Sequence, residues 1–558
     1  MRKHFLNLEL LIPIALGLFS MCYIAGTSFY YLSFTNIDWF ISGVSNSDLE
    51  THWLGWNFFR NSSFFQFPLL ANNSYGEGLN ISLVHTDSIP LLGLLFKPFA
   101  EVLPNNFQYF GLWILISNIL HSIFAFRLTR LYTNDLVICS VVTLFFLFAP
   151  IFYMRIFAQP AIGSQWLILG AIFLYSLNKT NYKEWIILLI LSVLINVYLF
   201  IMIFIFFTIF LLRIYLQKKD TILNLFKVFF SVGTILILTM WLLGYFSVGM
   251  GLQEGGFGFY KMNLNSFFDP KALYELHSRI IPDLPSPPVH THGDYEGFAF
   301  PGIGVLISSL IAIFFLFFKN NVSVNRSYFL PLIMMSALLF IFAVSNIISF
   351  GNTVLFEYPV PFFFEWVADL FRSSARFIWP VYYLIYIGTF YVLIKSISIK
   401  KLRYLLIALF LLQIYDTGLA TDAIRNRMVN FDNHWERTAK WTNPIKDPVW
   451  KSFSIKYKKI KYVLPTNKPK NYFPLALYAS NNNMITNFGY FSRRDLEKEK
   501  VIKKNLRESI LSATYDLDSI YYFEDDELWE AVKRNRKDSD YIKIVDNFRI
   551  FAPDYYKN

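Results

Sequence analysis

Apolar residues along this chain gather into long runs separated by short, mostly basic connections. A helix needs about 20 apolar residues to cross a hydrocarbon core about 30 Å thick, because backbone polar groups in lipid must be satisfied within the segment. That criterion predicts eleven transmembrane helices, over residues 10–34, 106–127, 136–154, 161–178, 185–198, 199–215, 228–247, 301–318, 328–349, 377–395 and 402–420. The stretch from Trp185 to Tyr215 fits one long tilted helix or two short ones meeting near Asn196, and the charge bias selects two.

With a cytoplasmic N-terminus, sixteen Lys and Arg fall in the short inner connections, from Arg2 and Lys3 through Arg213 and Lys219 to Lys400 and Arg403. Only eight fall in the much longer outer ones, as the positive-inside rule requires. The first run is too long for a signal-peptide core and has no small-residue cleavage pattern, so it reads as a retained anchor. The long connections 35–105, 248–300 and 350–376 then all lie outside, where function concentrates in such bundles. Within the first, Ser88 to Phe99 is apolar but too short to span, and reads as an interfacial or re-entrant segment closed by Pro98.

From about Thr421 the pattern changes: the remainder holds 26 of the chain's 50 Lys and Arg and 19 of its 39 Asp and Glu. Strand-like runs (Lys461–Pro465, Ser519–Phe523, Tyr541–Val545, Phe548–Phe551) alternate with helical ones (Asp495–Leu511, Glu527–Arg534). The expected architecture is an all-α polytopic bundle over residues 1–420 and a small extracytoplasmic α/β domain over 421–558, with no internal repeat.

Composition agrees with the patterning. Of 558 residues 55% are apolar and 16% charged, and the mean hydropathy of +0.41 lies outside the balance of a soluble globular protein. Sixty-one Phe and 34 Tyr suit lipid-facing helices and interfacial belts. Cys22 and Cys139 both sit in apolar runs, which excludes a disulfide framework. The net charge of +11 is explained by topology, so no nucleic-acid partner is expected.

The most pointed cluster of polar residues is Ser47 to Arg60, Ser-Asp-Leu-Glu-Thr-His-Trp-Leu-Gly-Trp-Asn-Phe-Phe-Arg. On a helix Asp48, His52, Gly55 and Phe59 share one face, while Leu49, Trp53, Trp56 and Arg60 line the adjacent one, which suits a helix lying in the membrane interface. Ser47 and Glu50 also match a capping box, a role compatible with chemistry at Asp48. His85-Thr86-Asp87-Ser88-Ile89-Pro90 reads as a helix start, and the first connection folding back brings Asp87 toward Asp48. His290, His292, Asp294 and Glu296 recur at every second residue, which in an extended chain projects four metal-ligating groups on one side; with no further fixed ligand elsewhere the metal signal is weak and a solvated loop is the favoured reading. The glycine-rich string Gly251 to Leu264, which contains Glu254 and Tyr260, permits close backbone approach but follows no strand and is no nucleotide fingerprint. Arg372 and Arg376 stand one helical turn apart at the outer interface, where guanidinium forks either clamp a phosphate or reach lipid headgroups.

Several of these strings, Asp48 to Arg60, Thr86 to Pro98, Asn105 to Trp113, Phe259 to Leu264, Gly293 to Gly297 and Phe371 to Tyr383, with Thr486 to Tyr490 in the tail, resemble an uncharacterised family of bacterial multi-pass proteins. That family is itself similar to the GT-C superfamily of membrane glycosyltransferases. The resemblance implies a polyprenyl-phosphate-linked sugar as donor and an essential acid in the first extracytoplasmic connection, the position Asp48 occupies. Many GT-C enzymes have adjacent acids there; here Asp48 and Glu50 are separated by Leu49 and point about 200° apart on a helix, so they do not act as one pair.

The expected function is inverting transfer of a sugar to an extracytoplasmic glycan or protein acceptor at a bacterial plasma membrane. In it Asp48 is the base or the ligand of a divalent cation, with His52 and Asp87 beside it. Arg372 and Arg376 hold the donor phosphate, and Glu254, Tyr260, Asp294 and Glu296 are further site candidates. The rival classes are a flippase for a lipid-linked glycan, which needs midplane polar residues beyond the few found (Asn118, Asn196, Asn346), and a non-enzymatic envelope-assembly protein.

Overall fold

The computed structural model describes residues 2–41, 48–177, 179–180, 182–249, 256–272, 275–285, 293–319, 325–430 and 441–557. Each of the eleven predicted runs overlaps a helix. Among the described residues five helices are long and apolar enough to cross a membrane: Phe110–Arg130, Val197–Leu216, Ile222–Leu243, Arg326–Val344 and Ser374–Ser396. Two bent pairs, Leu136–Leu147 with Pro150–Ile156 (55°) and Ile399–Asp416 with the helix that begins at Gly418 (57°), raise that number to seven if each is one span. The protein is therefore mostly helical, with apolar helices suited to a membrane and a small α/β region at its C-terminal end.

Element ends differ from the expected ones for local reasons. The first helix, Arg2–Ala25, stops at Gly26, whose φ of 81° is the left-handed conformation that terminates helices. Between Tyr182–Val193 and Val197–Leu216 the chain breaks at Asn196, whose side chain caps the second helix by accepting from the Tyr198 amide. The run expected to continue to residue 349 ends as a helix at Val344; Ile347–Phe350 (β3) then pairs antiparallel with Thr353–Glu357 (β4), after the short strands Lys271–Ala272 (β1) and Glu275–Leu276 (β2).

The chain forms two compact units. The first comprises residues 1–33, 109–236 and 254–434. In it small and polar residues stitch helices together. Asn118 donates to the Gly17 carbonyl (2.6 Å) and to Ser20 Oγ (2.8 Å), Ser122 donates to the Pro13 carbonyl (2.6 Å), and a Cβ at Gly17 would come within 3.1 Å of the Ile119 backbone.

The second comprises residues 34–108, 237–253 and 435–558. Its sheet is built from Lys459–Tyr462 (β5), Ile485–Thr486 (β6), Ser519–Phe523 (β7), Tyr541–Val545 (β8) and Phe548–Ala552 (β9), in the order β6-β5-β7-β9-β8. The β5 pairings are parallel and those of β9 antiparallel. Helices Leu496–Leu511 and Asp526–Arg534 cover it through Leu506, Ile510, Leu528, Trp529 and Val532. The first connection joins this sheet at its edge: the Gly76 and Glu77 amides donate to the Thr486 carbonyl, and the Thr486 amide donates to that of Ser74. Exposed Phe64, Phe65, Phe67, Leu95 and Phe99 leave an apolar surface on the same connection.

Candidate functional site

In the second unit the helix Asp48–Phe59 is buried on nearly every side. Its Asp48–His52–Gly55 face packs on the Thr86–Ser88 turn so closely that a Cβ at Gly55 would fall 2.3 Å from Thr86 Oγ1 and 2.4 Å from Ser88 Oγ. Ser88 Oγ donates to the His52 carbonyl (2.5 Å) and pairs with Thr86 Oγ1 (2.8 Å). The turn itself carries two left-handed residues, Asp87 (φ 51°) and Ile89 (φ 53°). For β-branched Ile89 that conformation is an outlier costing roughly 1–3 kcal/mol, retained only where the surroundings enforce it. Pro90 then opens the helix Pro90–Phe96 as its first residue.

Half-buried Asp48 and Asp87 thereby come within electrostatic reach of one buried imidazole. Burial lowers the His52 pKa, and the two carboxylates, Asp87 more than Asp48, pull it back up. On another face of the helix, buried Glu50 meets Tyr472, whose hydroxyl donates to Glu50 Oε1 (3.4 Å) and pairs with Thr51 Oγ1 (2.8 Å). Burial pushes the Glu50 carboxyl up to about 8, against smaller opposing pulls from Lys468 and the Tyr472 hydrogen bond. It is therefore protonated over most of the neutral range, while a carboxylate of ordinary pKa is ionised there.

The first unit holds a different arrangement. Glu296, in the turn Asp294–Gly297, accepts from Arg155 Nη2 (3.0 Å), Arg376 Nε (2.8 Å) and Ser373 Oγ (3.3 Å). Burial alone would raise its carboxyl, and the two guanidinium groups overcome burial and hold it well below the usual carboxylate range. Arg376 also lies over the Tyr198 ring (4.9 Å). Arg372, half-buried, lies 6.0 Å from the Tyr260 ring centre and makes no ion pair among the described residues. Fully buried Lys261 binds both oxygens of Asp294 (2.8 and 2.9 Å), and Asn263 adds a third hydrogen bond (3.0 Å). Among the described residues two arginines share this one carboxylate, and Arg372 lies four residues before Arg376.

Residues 14–418 match the family described as a domain of unknown function, DUF6311, and residues 449–553 match the DUF6311 C-terminal domain. The chain belongs to the DUF6311 family. No curated protein matches it.

Two expectations for this DUF6311 chain change with the geometry. The Leu49–Trp53–Trp56–Arg60 face does not lie in a lipid interface. Its rings are buried, Trp53 Nε1 donates to the Phe107 carbonyl (3.0 Å), and Arg60 donates to the carbonyls of Ala100, Leu103, Pro104 and Asn105, because the rest of the first connection wraps the helix. Asp294 and Glu296 do not project from an extended strand; in a 3-10 turn each turns to its own cations, and no group of three metal-ligating side chains forms among the described residues. Arg376 gives its Nε to Glu296, whereas Arg372 makes no ion pair among the described residues. Ser47, Glu254, His290 and His292 lie outside the described residues.

Sequence reasoning also missed partners. Arg155 and Lys261, to which the sequence alone assigns no role, are the buried counter-ions of Glu296 and Asp294. A lone cation inside an otherwise apolar or glycine-rich string was the available signal, because such a charge needs a partner.

Proposed function

We propose that this DUF6311 protein is a GT-C-like glycosyltransferase of the bacterial plasma membrane, which moves a sugar from a polyprenyl-phosphate-linked donor to an extracytoplasmic acceptor. In this reading the chain crosses the bilayer eleven times, its N-terminus is cytoplasmic, and residues 421–558 are extracytoplasmic. The observation that carries it is the convergence of Asp48 and Asp87 on buried, neutral-leaning His52, across a turn locked to the helix by Ser88 and by the absence of a side chain at Gly55.

An acceptor hydroxyl attacks the anomeric carbon while Asp48 takes its proton. The bond from that carbon to the phosphate oxygen breaks, its electron pair stays on the oxygen, and polyprenyl phosphate leaves. Arg372, which has no carboxylate partner among the described residues, is the guanidinium that this reading assigns to the donor phosphate. A divalent cation at Asp48 is not required by this scheme.

The test is to incubate purified protein with lipid-phosphate sugars and follow product by mass spectrometry. Asp48→Asn is expected to abolish transfer with expression and membrane insertion intact. Undiminished transfer in that variant removes Asp48 from the chemistry. Movement of a lipid-linked glycan across proteoliposomes without bond exchange replaces the reading with a flippase.

A further inference from the structure

At the C-terminal end of the Asp48–Phe59 helix the second unit opens a cleft of about 190 Å³, separate from the Asp48 turn. Asn57 lies nine residues from Asp48, about 180° around the helix at roughly 100° per residue, so the cleft faces away from His52 and Asp87. Its lining is almost wholly polar and comes from three stretches of chain: Asn57 and Asn61, Glu101 and Asn105, and Asn481 and Asn483.

The cleft is built on a buried base. Asn57, 3% exposed, donates its amide to Ser480 Oγ (2.8 Å) and to Asn481 Oδ1 (3.2 Å). That fixes the Asn481 carboxamide with its oxygen satisfied and its NH2 directed elsewhere. Arg60 forms one wall, with its Nη1 and Nη2 donated to four backbone carbonyls, two of them at 2.7 Å from Nη2. Its four Nη donors are thus spent on holding the 100–105 turn in place, leaving only Nε–H, while the Glu101, Asn105 and Asn483 side chains make no hydrogen bond among the described residues.

The lining chemistry narrows the ligand by elimination. An anion meets the Glu101 carboxylate and finds a single remaining cationic donor, the Nε–H of Arg60, with no free guanidinium fork. A metal ion finds one carboxylate, Glu101, where it needs several oxygen ligands. An apolar ligand finds only Ala100 and Leu103. What remains suited is a neutral molecule with many hydroxyls. The Asn105 and Asn483 carboxamides each offer an acceptor and two donors in one plane, and the Glu101 carboxylate accepts from two hydroxyls at once, so neighbouring OH groups of a sugar ring are matched in pairs. We infer that this cleft binds a neutral saccharide unit, as a recognition site distinct from the Asp48 centre.

The test uses the full-length protein in a detergent whose headgroup is not a sugar, titrated calorimetrically with maltose, cellobiose and N,N′-diacetylchitobiose, without donor lipid so that the result is independent of transfer. The expected result is saturable binding of at least one disaccharide, weakened about tenfold by Asn105→Leu and by Glu101→Ala, the loss of one or two ligand hydrogen bonds each. Both positions are exposed, so folding survives the changes, which an unaltered melting temperature checks. Absence of binding by all three sugars, equal binding in both variants, equal competition by glycerol, or tighter binding of a Gly-Ser tetrapeptide each overturns the inference.

Discussion

Glu296 and Glu50 are the same side chain, buried to a similar degree, and they end in opposite states. Glu296 takes two guanidinium groups and a serine hydroxyl and is held ionised. Glu50 takes one tyrosine hydroxyl at 3.4 Å, and burial prevails, so its pKa rises to about 8. Burial sets the penalty in both cases; the number of directed cations decides whether it is overcome.

The largest test of that contrast removes the anion where it is most needed. Glu296→Gln removes the buried carboxylate that Arg155 and Arg376 share, and a loss of about 3–5 kcal/mol is expected, seen as a collapse of the melting temperature of the detergent-solubilised protein. A variant as stable as the parent breaks the comparison.

A pH-dependent effect of comparable size, on the order of 5 kcal/mol across its whole window, belongs to Glu50. The unfolded chain releases this proton near pH 4.5 and the folded chain only near 8, so its contribution is fully present below pH 4.5 and is lost as pH rises toward 8. Glu50→Gln should flatten that slope in a melting-temperature profile and make the protein more stable than the parent at pH 8. A profile with the same slope in the variant assigns the pH dependence to other groups.

Smallest is Tyr472→Phe, which forfeits the 2.8 Å bond to Thr51 and the weaker one to Glu50, about 1 kcal/mol. Because that hydroxyl favours the ionised carboxyl, its removal should also move the upper edge of the pH window upward, which a loss of packing alone does not do.

How far the sequence foretold this depends on range. Long apolar runs marked every helix that became a candidate span, and alternation marked Ser519–Phe523 and Tyr541–Val545 with their observed bounds. Periodicity also placed Asp48, His52 and Gly55 on one face, and the packing of Thr86–Ser88 on that face follows from the missing side chain at Gly55. Tyr472–Asn481 was not foreseen as a helix, since it is short, largely apolar and follows Asn471 in a left-handed conformation, so it carries no periodic stripe to read. With it went the fate of Glu50, whose partner lies 422 residues away. The interfacial placement of the Trp53–Trp56 face failed for a related reason. An aromatic stripe looks the same whether lipid or protein covers it, and here the cover is the Phe99–Phe107 stretch of the same connection.

The second unit is assembled from segments that ribosomes deliver far apart in time. At about 5–20 residues per second, residues 34–108 emerge tens of seconds before residues 435–558 exist. Throughout that wait the Asp48–Phe59 helix lacks the Tyr472–Asn481 helix that shields Glu50 and Thr51, and the Ser74–Glu77 backbone lacks the Thr486 edge it pairs with. Biogenesis of this protein must therefore protect an unfinished half-core until synthesis ends, and a chain cut short before residue 472 is left with a permanently open wound for the cell's proteases to find.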